Sequence, residues 1–174
     1  MDPLKGEQLY LRALEPEDLD FLYETENNTA LWEISSTITP YSKHVLRYYL
    51  ENAHRDIYDV KQLRLVICSA ADQVMGLIDL FDFDPIHKRA GIGIVVLKNE
   101  HRNSGVGTEA ISVLLEYAFH TLDLHQVYAN VGADNDTSMH LFQKLGFVQI
   151  GVKCDWLYTG DGYKDEILFQ KIKE

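Results

Sequence analysis

The sequence has few of the residues that build metal sites or disulfide frameworks. Its two cysteines, Cys68 and Cys154, lie far apart without metal-ligand spacing, so we expect both to be reduced packing residues. Its seven histidines are scattered and form no HExxH motif, which predicts that the protein holds no metal. No apolar run reaches the roughly 18 residues of a membrane span, and the first residues lack the pattern of a signal peptide. We therefore expect a cytoplasmic protein that does not enter a membrane.

Positive charge is scarce relative to negative charge. The 16 lysines and arginines are outnumbered by 27 aspartates and glutamates, which gives a formal net charge of −11. Nucleic-acid-binding domains normally present a basic surface, so this balance predicts that nucleic acid is not the partner. It is compatible with a cationic small substrate, although an acidic balance is also common among soluble proteins.

The chain shows no internal repeat, low-complexity tract or linker, and we predict one domain over residues 1–174. Apolar periodicity predicts seven strands, at 8–14, 63–69, 74–83, 90–97, 125–132, 147–158 and 163–172. It also predicts helices that begin at Glu15, Ser42, Gly105 and Thr137, the second reaching Tyr58 and the third about Leu122. This order of elements is typical of an α/β domain built around a central mixed sheet.

The segment EHRNSGVGTEA, residues 100–110, joins the fourth predicted strand to the third predicted helix. A helix start offers unpaired N–H groups at the positive end of the helix dipole, where an anion can bind. Gly105 and Gly107 let a bulky anion approach the backbone, and Arg102 adds a cation. The segment lacks the ending of a Walker A loop and the third glycine of the Rossmann fingerprint. Taken alone, it fits either a phosphate site or an ordinary left-handed turn.

The neighbouring sequence favours a phosphate site of a particular kind. R-x-x-G-x-G after a β-branched strand, followed later by NDTSMHLFQKLGF, resembles the acyl-CoA site of the GNAT superfamily of N-acetyltransferases. The segments ENNTALW, GLIDLFDFDPIHKRA, LHQVYANV and HLFQKLGF are similar to bacterial spermidine N-acetyltransferases and to ribosomal-protein-type acetyltransferases. The resemblance covers nearly the whole chain. It implies a central mixed, mostly antiparallel sheet flanked by helices, and acetyl-CoA as co-substrate.

The resemblance also implies which residues touch the cofactor. The glycine turn would hold the pyrophosphate, the strand before it would pair with the pantetheine arm, Asn135 would bond that arm, and Lys144 would reach a phosphate. The cofactor-binding residues predicted in this way are Ile94, Val95, Val96, Arg102, Asn103, Ser104, Gly105, Val106, Gly107, Thr108, Asn135 and Lys144. The alternatives are a plain helix N-cap for Asn135 and a solvated surface position for Lys144.

Two positions depart from the spermidine enzymes. There a tyrosine in HxYxKLGF is the general acid that protonates the departing thiolate, and here that residue is Phe142, which has no proton to give. Gly91 stands where those enzymes often carry glutamate. Ser138, Tyr128 or a water could replace the acid, or none is needed. Ser138 is our catalytic candidate, with helix capping as its alternative role.

An alkylamine must lose a proton before it attacks a thioester. At pH 7 this costs about 4.6 kcal/mol for an amine of pKa about 10.4, and about 1.4 kcal/mol for an α-amino group. The candidates for a carboxylate base are Asp79, Asp82, Asp84 and Glu33, with solvated or turn-capping acids as the alternative. Strand alternation places Asp79 beside Phe81 and Phe83, where loss of water would raise its pKa, so Asp79 is the catalytic candidate.

The acceptor and the assembly stay open. The acceptor could be a polyamine, another small primary amine or a protein amino terminus. A non-catalytic CoA-binding sensor, which Phe142 would favour, and a simple phosphate-binding module are the alternatives to an enzyme. A homodimer or higher homo-oligomer is expected by analogy, with Trp156, Leu157 and Tyr158 available either for the subunit contact or for the core.

Overall fold

The computed structural model describes residues 2–97, 101 and 104–174. In this part of the chain, seven strands form one sheet in the order β1-β2-β3-β4-β5-β7-β6. Neighbouring strands run antiparallel except for β4 and β5, which are parallel, so the mixed, mostly antiparallel sheet predicted above is confirmed. The strands are β1 Leu9–Ala13, β2 Leu63–Ser69, β3 Val74–Asp84, β4 Arg89–Val96, β5 Gln126–Gly132, β6 Val148–Thr159 and β7 Gly162–Ile172.

The helices cover both faces of the sheet. They are α1 Leu19–Glu26, α2 Trp32–Ser35, α3 Lys43–Glu51, α4 Ile57–Val60, α5 Val106–Glu116 and α6 Asp136–Lys144, with a π-helical turn, Tyr117–Thr121, extending α5. Short 3₁₀ turns, Pro16–Asp18 and Thr29–Leu31, precede α1 and α2. Within the described residues no helix is long and apolar enough to cross a membrane.

The second predicted helix begins as expected but ends early. The Ser42 hydroxyl accepts a hydrogen bond from the Val45 amide at 3.2 Å, as predicted for the cap of α3. The helix stops at Glu51 rather than Tyr58, and the Asp56 carboxylate then caps the separate helix α4 by accepting from the Tyr58 amide at 2.7 Å. Short polar side chains that bond nearby backbone compete with helix continuation, which explains the break.

Two hydrophobic clusters are present among the described residues, one on each face of the sheet. The larger lies against α5 and α6 and includes Ile78 and Leu80 of β3, whereas the smaller lies against α1 and α3 and includes Leu77 and Cys68. Cys68 therefore packs as predicted. Cys154 is exposed, so the prediction that both cysteines are packing residues is wrong for Cys154.

A bulge in β3 breaks the alternation used above to place its side chains. Asp82 has a left-handed backbone with φ of 48°, and the β3–β4 register shifts between Phe81 and Asp84. Phe83 consequently joins the larger cluster with Leu80, while Phe81 stays on the face of Asp79. The prediction that Phe83 flanks Asp79 is wrong, because an extra residue in a bulge reverses the side chains beyond it.

The feature that positions the site is the short contact between β4 and β5. Their ladder pairs Arg89, Ala90 and Gly91 with residues 126–128 of β5, and it ends at the Gly91–Tyr128 pair. From there β4 stays paired with β3, and β5 stays paired with β7. The sheet therefore opens as a wedge toward the carboxyl ends of these two parallel strands.

A buried ion pair fixes the start of α1 to the edge of the sheet. Arg12 of β1 donates to both carboxylate oxygens of Asp18, at 2.8 and 2.9 Å, and Asp18 also accepts from the Glu15 amide at 2.8 Å. Burial raises the pKa of Asp18, but the bonds from Arg12 and Glu15 outweigh burial and hold that pKa below its ordinary value.

We predict that Asp18→Asn lowers the free energy of unfolding at pH 7 by about 2 kcal/mol, because an amide cannot bind the guanidinium with two oxygens. The folded-state pKa is depressed, so the carboxylate stabilises above the ordinary aspartate pKa of about 3.9, and this contribution disappears as the pH falls through the folded value. Urea unfolding at pH 7 and at pH 3 should show that the difference in unfolding free energy between wild type and Asp18→Asn is smaller at pH 3. Asp20→Asn, which removes an exposed carboxylate paired with Lys43, is the matched control and should resemble wild type at both pH values. An equal loss at both pH values would contradict the role assigned to Asp18.

Candidate active site

A cavity of about 760 Å³ lies where β4 and β5 separate. Its walls come from β4, β5 and α6 on one side, and from α1, α2, β2, β3 and β7 on the other. The wedge thus connects the two faces of the sheet. A long ligand can lie along the α5–α6 side while a second ligand enters from the α1–α2 side.

The β4 wall contains the strand residues predicted to face the cofactor. Ile94 and Val95 line the cavity together with Ile92 and Gly93, while Val96 ends the strand opposite Gly76 of β3. Within the described residues, the edge of β4 from Ile92 to Val95 has no ladder partner in β5. An extended ligand can therefore form the backbone hydrogen bonds that β5 would otherwise form.

The start of α5 has the geometry expected of an anion site. Gly105 is the N-cap, with a left-handed φ of 87°, and no described side chain caps the helix. The first bond that the helix makes runs from the Glu109 amide to the Gly105 carbonyl at 3.0 Å, so the amides of Val106, Gly107 and Thr108 have no partner within the helix.

Other residues of the predicted turn fit this geometry less directly or cannot be placed. The Ser104 hydroxyl donates to the His101 carbonyl instead of capping α5. A Cβ on Gly107 would lie 3.3 Å from Leu141 Cδ2, which shows that Gly107 also brings α5 close to α6. Arg102 and Asn103 lie outside the described residues.

Helix α6 brings some of its predicted residues to the cavity and not others. Asn135 and Ser138 both line it, and the Asn135 side chain accepts from the Ser138 amide at 3.1 Å, so Asn135 is the N-cap of α6. Lys144 is exposed at the other end of the helix and is not part of the wall.

Phe142 forms part of the cavity floor, where the spermidine enzymes are expected to carry their acidic tyrosine. Its ring is 4% exposed and packs edge-on against Phe147, with ring centres 5.0 Å apart. Ser138 lies one helical turn before it on the same wall. Ser138 and Phe142 thus both face the cavity from α6.

Asp79 lines the cavity, and both oxygens of its carboxylate bind a cation. Arg64 of β2 donates to both of its oxygens, at 2.9 and 3.0 Å, and uses its remaining nitrogen to bind Glu26 of α1 at 2.8 Å. Burial lowers the pKa of Arg64, but the charge and hydrogen bonds of Asp79 outweigh burial and raise it above its ordinary value. The charge of Asp79 is thus balanced by the guanidinium of Arg64.

The other three base candidates do not place an unpartnered carboxylate in the cavity. Glu33 lines it but binds Lys164. Asp84 accepts from the Ile86 and His87 amides at 3.0 and 2.9 Å, and the His87 amide lowers its pKa, so Asp84 caps a turn. Asp82 is exposed on the β3 bulge and is not part of the cavity wall.

The glycine at position 91 is explained by a neighbouring aromatic ring. A Cβ on Gly91 would lie 2.3 Å from two atoms of the Phe81 ring, so the ring fills the space where a side chain would stand. Phe81 in turn meets Tyr128 edge-on, with ring centres 5.9 Å apart. Burial raises the pKa of Tyr128 above its ordinary value.

Sequence reasoning missed most of the charged residues of the cavity. Among the described residues, five acidic and two basic side chains line it, and those not identified from the sequence are Glu26, Arg64, Asp134, Lys164 and Glu166. A signal was present for two of them: Arg64 interrupts the apolar strand LRLVICS, and Lys164 precedes the apolar run of β7. A charged residue in such a strand needs a partner, but the sequence did not reveal which one.

The residues present fit an acyl-CoA substrate. A glycine cap at a helix start suits a diphosphate, and an open strand edge suits the amide groups of a pantetheine arm. The walls are largely apolar on the β4 side, as expected for a ligand that carries an alkyl chain and a thioester.

Comparisons with known proteins agree with this geometry. The family described as "Acetyltransferase (GNAT) domain" matches residues 8–148. The chain is 32% identical over 158 residues to spermidine N(1)-acetyltransferase of Vibrio cholerae serotype O1, covering 91% of this chain and 89% of the relative.

Solved structures show the same similarity. The crystal structure of spermidine N-acetyltransferase from Vibrio cholerae in complex with CoA and spermine has a TM-score of 0.85 and 30% identity, and covers 96% of each chain. A dodecameric structure of the Vibrio cholerae enzyme has a TM-score of 0.79 and 31% identity, covering 96% of this chain and 95% of that one. Because the family match spans most of the sequence and the wedge, the helix start and the cavity agree with it, the protein belongs to the GNAT superfamily of N-acetyltransferases, with acetyl-CoA as co-substrate.

Proposed function

We propose that the protein acetylates a primary amine of a polyamine or a similar small alkylamine. The observation that carries this proposal is the acidic part of the cavity, called the chamber below, which lies next to the open edge of β4. Among the described residues its carboxylates are Glu26, Glu33, Asp79, Asp134 and Glu166. The Vibrio cholerae relatives, named as spermidine acetyltransferases and solved with spermine, support the same class of acceptor.

The charge of the chamber favours a cation. Its five carboxylates face the two basic side chains of Arg64 and Lys164, and a third cation, Lys153, binds Glu166 from outside the wall at 2.9 Å. The chamber therefore keeps an excess of negative charge in a partly enclosed space, which attracts an acceptor with several ammonium groups. A protein amino terminus has no comparable need for such a chamber, so the polyamine is the better candidate.

In this proposal acetyl-CoA is bound by backbone groups more than by side chains. In this proposal the amides of Val106, Gly107 and Thr108 bind the diphosphate, and the edge of β4 at Ile94, Val95 and Val96 binds the pantetheine arm. The family resemblance assigns Ser104, Arg102 and Asn103 to the same diphosphate, and Asn135 contacts the arm while it caps α6. Lys144 would meet only a phosphate that extends beyond the cavity.

The chemistry requires two groups of this chain and a water molecule. A backbone amide of β4 donates to the thioester carbonyl and stabilises the negative charge that develops on its oxygen when the amine attacks. The Ser138 hydroxyl passes its proton to the departing sulfur and takes one back from water, so that coenzyme A leaves as a thiol and the serine is restored. Because the carboxylates of the cavity are held by cations, the amine proton leaves to water in the open chamber rather than to Asp79.

The same proposal extends to location and assembly. Both cysteines are free thiols, as expected in the reducing cytoplasm where acetyl-CoA is available. Exposed apolar side chains cluster on the edge strand β6 and the start of β7, namely Val148, Ile150, Val152, Trp156, Tyr158 and Tyr163. In this proposal a second copy of the chain packs against this surface, since the Vibrio cholerae relative forms a dodecamer.

The first test is the choice of acceptor. With acetyl-CoA present, thiol release should rise well above background with spermidine and with a diamine, and about tenfold less with an N-terminal peptide at equal concentration, because the chamber selects ammonium groups. Mass spectrometry of the products should find one added acetyl group on a primary amine. Faster transfer to the peptide than to spermidine would overturn the polyamine assignment, and transfer to no amine would support a CoA-binding sensor.

The second test concerns the helix start. We predict that Gly105→Asp weakens CoA binding about tenfold or more in titration calorimetry, because a carboxylate at the N-cap repels the diphosphate. Gly105→Asn is the matched control, since asparagine has the same size and also tolerates a left-handed backbone, and it should stay within about threefold of wild type. Equal affinities for the two variants would show that the diphosphate does not lie at this helix start.

The third test concerns the proton donor. We predict that Ser138→Ala lowers kcat about tenfold or more without changing the affinity for CoA, because the departing sulfur loses its acid. Adding Phe142→Tyr to this variant should restore much of kcat, since the new hydroxyl enters the same part of the cavity from the next turn of α6. An unchanged kcat in Ser138→Ala would show that the thiolate leaves without Ser138.

A further inference from the structure

One cation in the chamber has the same chemistry as the proposed acceptor. Lys164 of β7 extends its side chain past Gly132, whose added Cβ would lie 3.4 Å from Lys164 Cε. Its ammonium binds Asp134, after the end of β5, at 2.9 Å and also binds Glu33 of α2. Lys164 thus places a primary alkylammonium group between two carboxylates on the cavity wall.

The surroundings of Lys164 differ from those of the other cation in the chamber. Arg64 is held by two oxygens of Asp79 and by Glu26, and the side chains of these partners are only 21% and 14% exposed. The partners of Lys164 are open to solvent, with Glu33 52% and Asp134 68% exposed. Glu33 and Asp134 are therefore the carboxylates that an entering acceptor can reach. Glu26 and Asp79 are bound to Arg64 and mostly shielded from solvent.

We propose that Lys164 is a specificity-determining residue that limits how many positive charges the acceptor can carry. This inference rests on the proposed function and deepens it. A polyamine that places its reacting nitrogen near β4 must find negative charge for its other nitrogens, and the reachable carboxylates already hold the ammonium of Lys164. Each further ammonium of the acceptor must compete with Lys164 and is repelled by it, so the penalty grows with the charge of the acceptor.

A purely structural role of Lys164 would affect acceptor binding in a different way. Lys164 joins α2 to the segment after β5, and loss of that connection would loosen the wall for every acceptor alike. An electrostatic role changes the order of preference among acceptors, because it scales with their charge. A series of alkylamines that share the same chain chemistry but differ in charge therefore distinguishes a structural role of Lys164 from an electrostatic one.

The experiment measures amine binding to the protein saturated with CoA, so that no acetyl transfer occurs. The acceptors are n-butylamine, 1,4-diaminobutane and spermidine, which carry one, two and three charges. For Lys164→Gln at low salt we expect about tenfold tighter binding of spermidine and about threefold tighter binding of the diamine, with butylamine within about twofold of wild type. These gains should shrink in high salt, which screens charges in a partly open site.

Two variants serve as controls. Lys164→Arg keeps the charge and should keep the wild-type order of affinities. Lys88→Gln removes a lysine paired with Asp123 on the surface, so it matches the change in net charge and should leave all three affinities unchanged. A uniform change for the three amines in Lys164→Gln, or the same result with Lys164→Arg, would overturn the proposal, as would spermidine that binds neither wild type nor Lys164→Gln. If spermidine binds as expected but is not acetylated when acetyl-CoA is supplied, the proposed function fails and the inference about Lys164 stands.

Discussion

The separation of two parallel strands is the constraint on which the rest of the molecule depends. β4 and β5 share three paired residues each and then part, and every proposed function of the chain uses the space between them. The parting leaves one edge of β4 without a strand partner in β5 and opens the cavity between the two strands. Gly107, at the start of α5, lies close to Ile94 of β4. A sheet that closed along the full length of β4 would have neither a slot for an extended cofactor nor a route for an amine.

The two sides of this passage are built on different principles. On the α5–α6 side, the groups offered to a ligand are backbone amides and apolar side chains, which depend on fold and on glycine. On the α1–α2 side, they are charged side chains held in pairs, such as Arg64 with Asp79. Backbone sites change little when surface residues change, whereas charge pairs can be rearranged by single substitutions. This difference explains how one fold can keep its co-substrate and vary its acceptor.

The elements with strong local patterns could be predicted from the sequence. β2 has the predicted bounds, Leu63–Ser69, because an apolar strand between polar turns gives an unambiguous signal. The early end of α3 was not predicted, because the apolar period continues through Ala53 although the helix ends at Glu51 and Asp56 caps the separate helix α4. The bulge at Asp82 was also missed, and with it the position of Phe83, because periodicity assumes a regular strand.

The candidate site could be predicted where it depends on a local sequence motif. It could not be predicted where it depends on which strands pair and in what register. The glycine turn lies where its spacing indicated, and Asn135 and Ser138 reach the cavity. Arg64 and Lys164 were missed because their roles come from contacts that periodicity does not state. Arg64 meets Asp79 across the β2–β3 hairpin and Glu26 of α1, and Lys164 of β7 reaches Glu33 of α2. Cross-strand neighbours follow from pairing order, which a single sequence does not state.

The contact between Phe81 and Gly91 restricts how this acceptor site can diverge. With the Phe81 ring in place, any side chain at position 91 would overlap it, so an acidic residue there cannot be gained by one substitution without moving the ring. The ring also supports Tyr128, so shrinking residue 81 first would unsettle a second aromatic group. A side chain at position 91 thus requires a smaller or displaced residue at position 81.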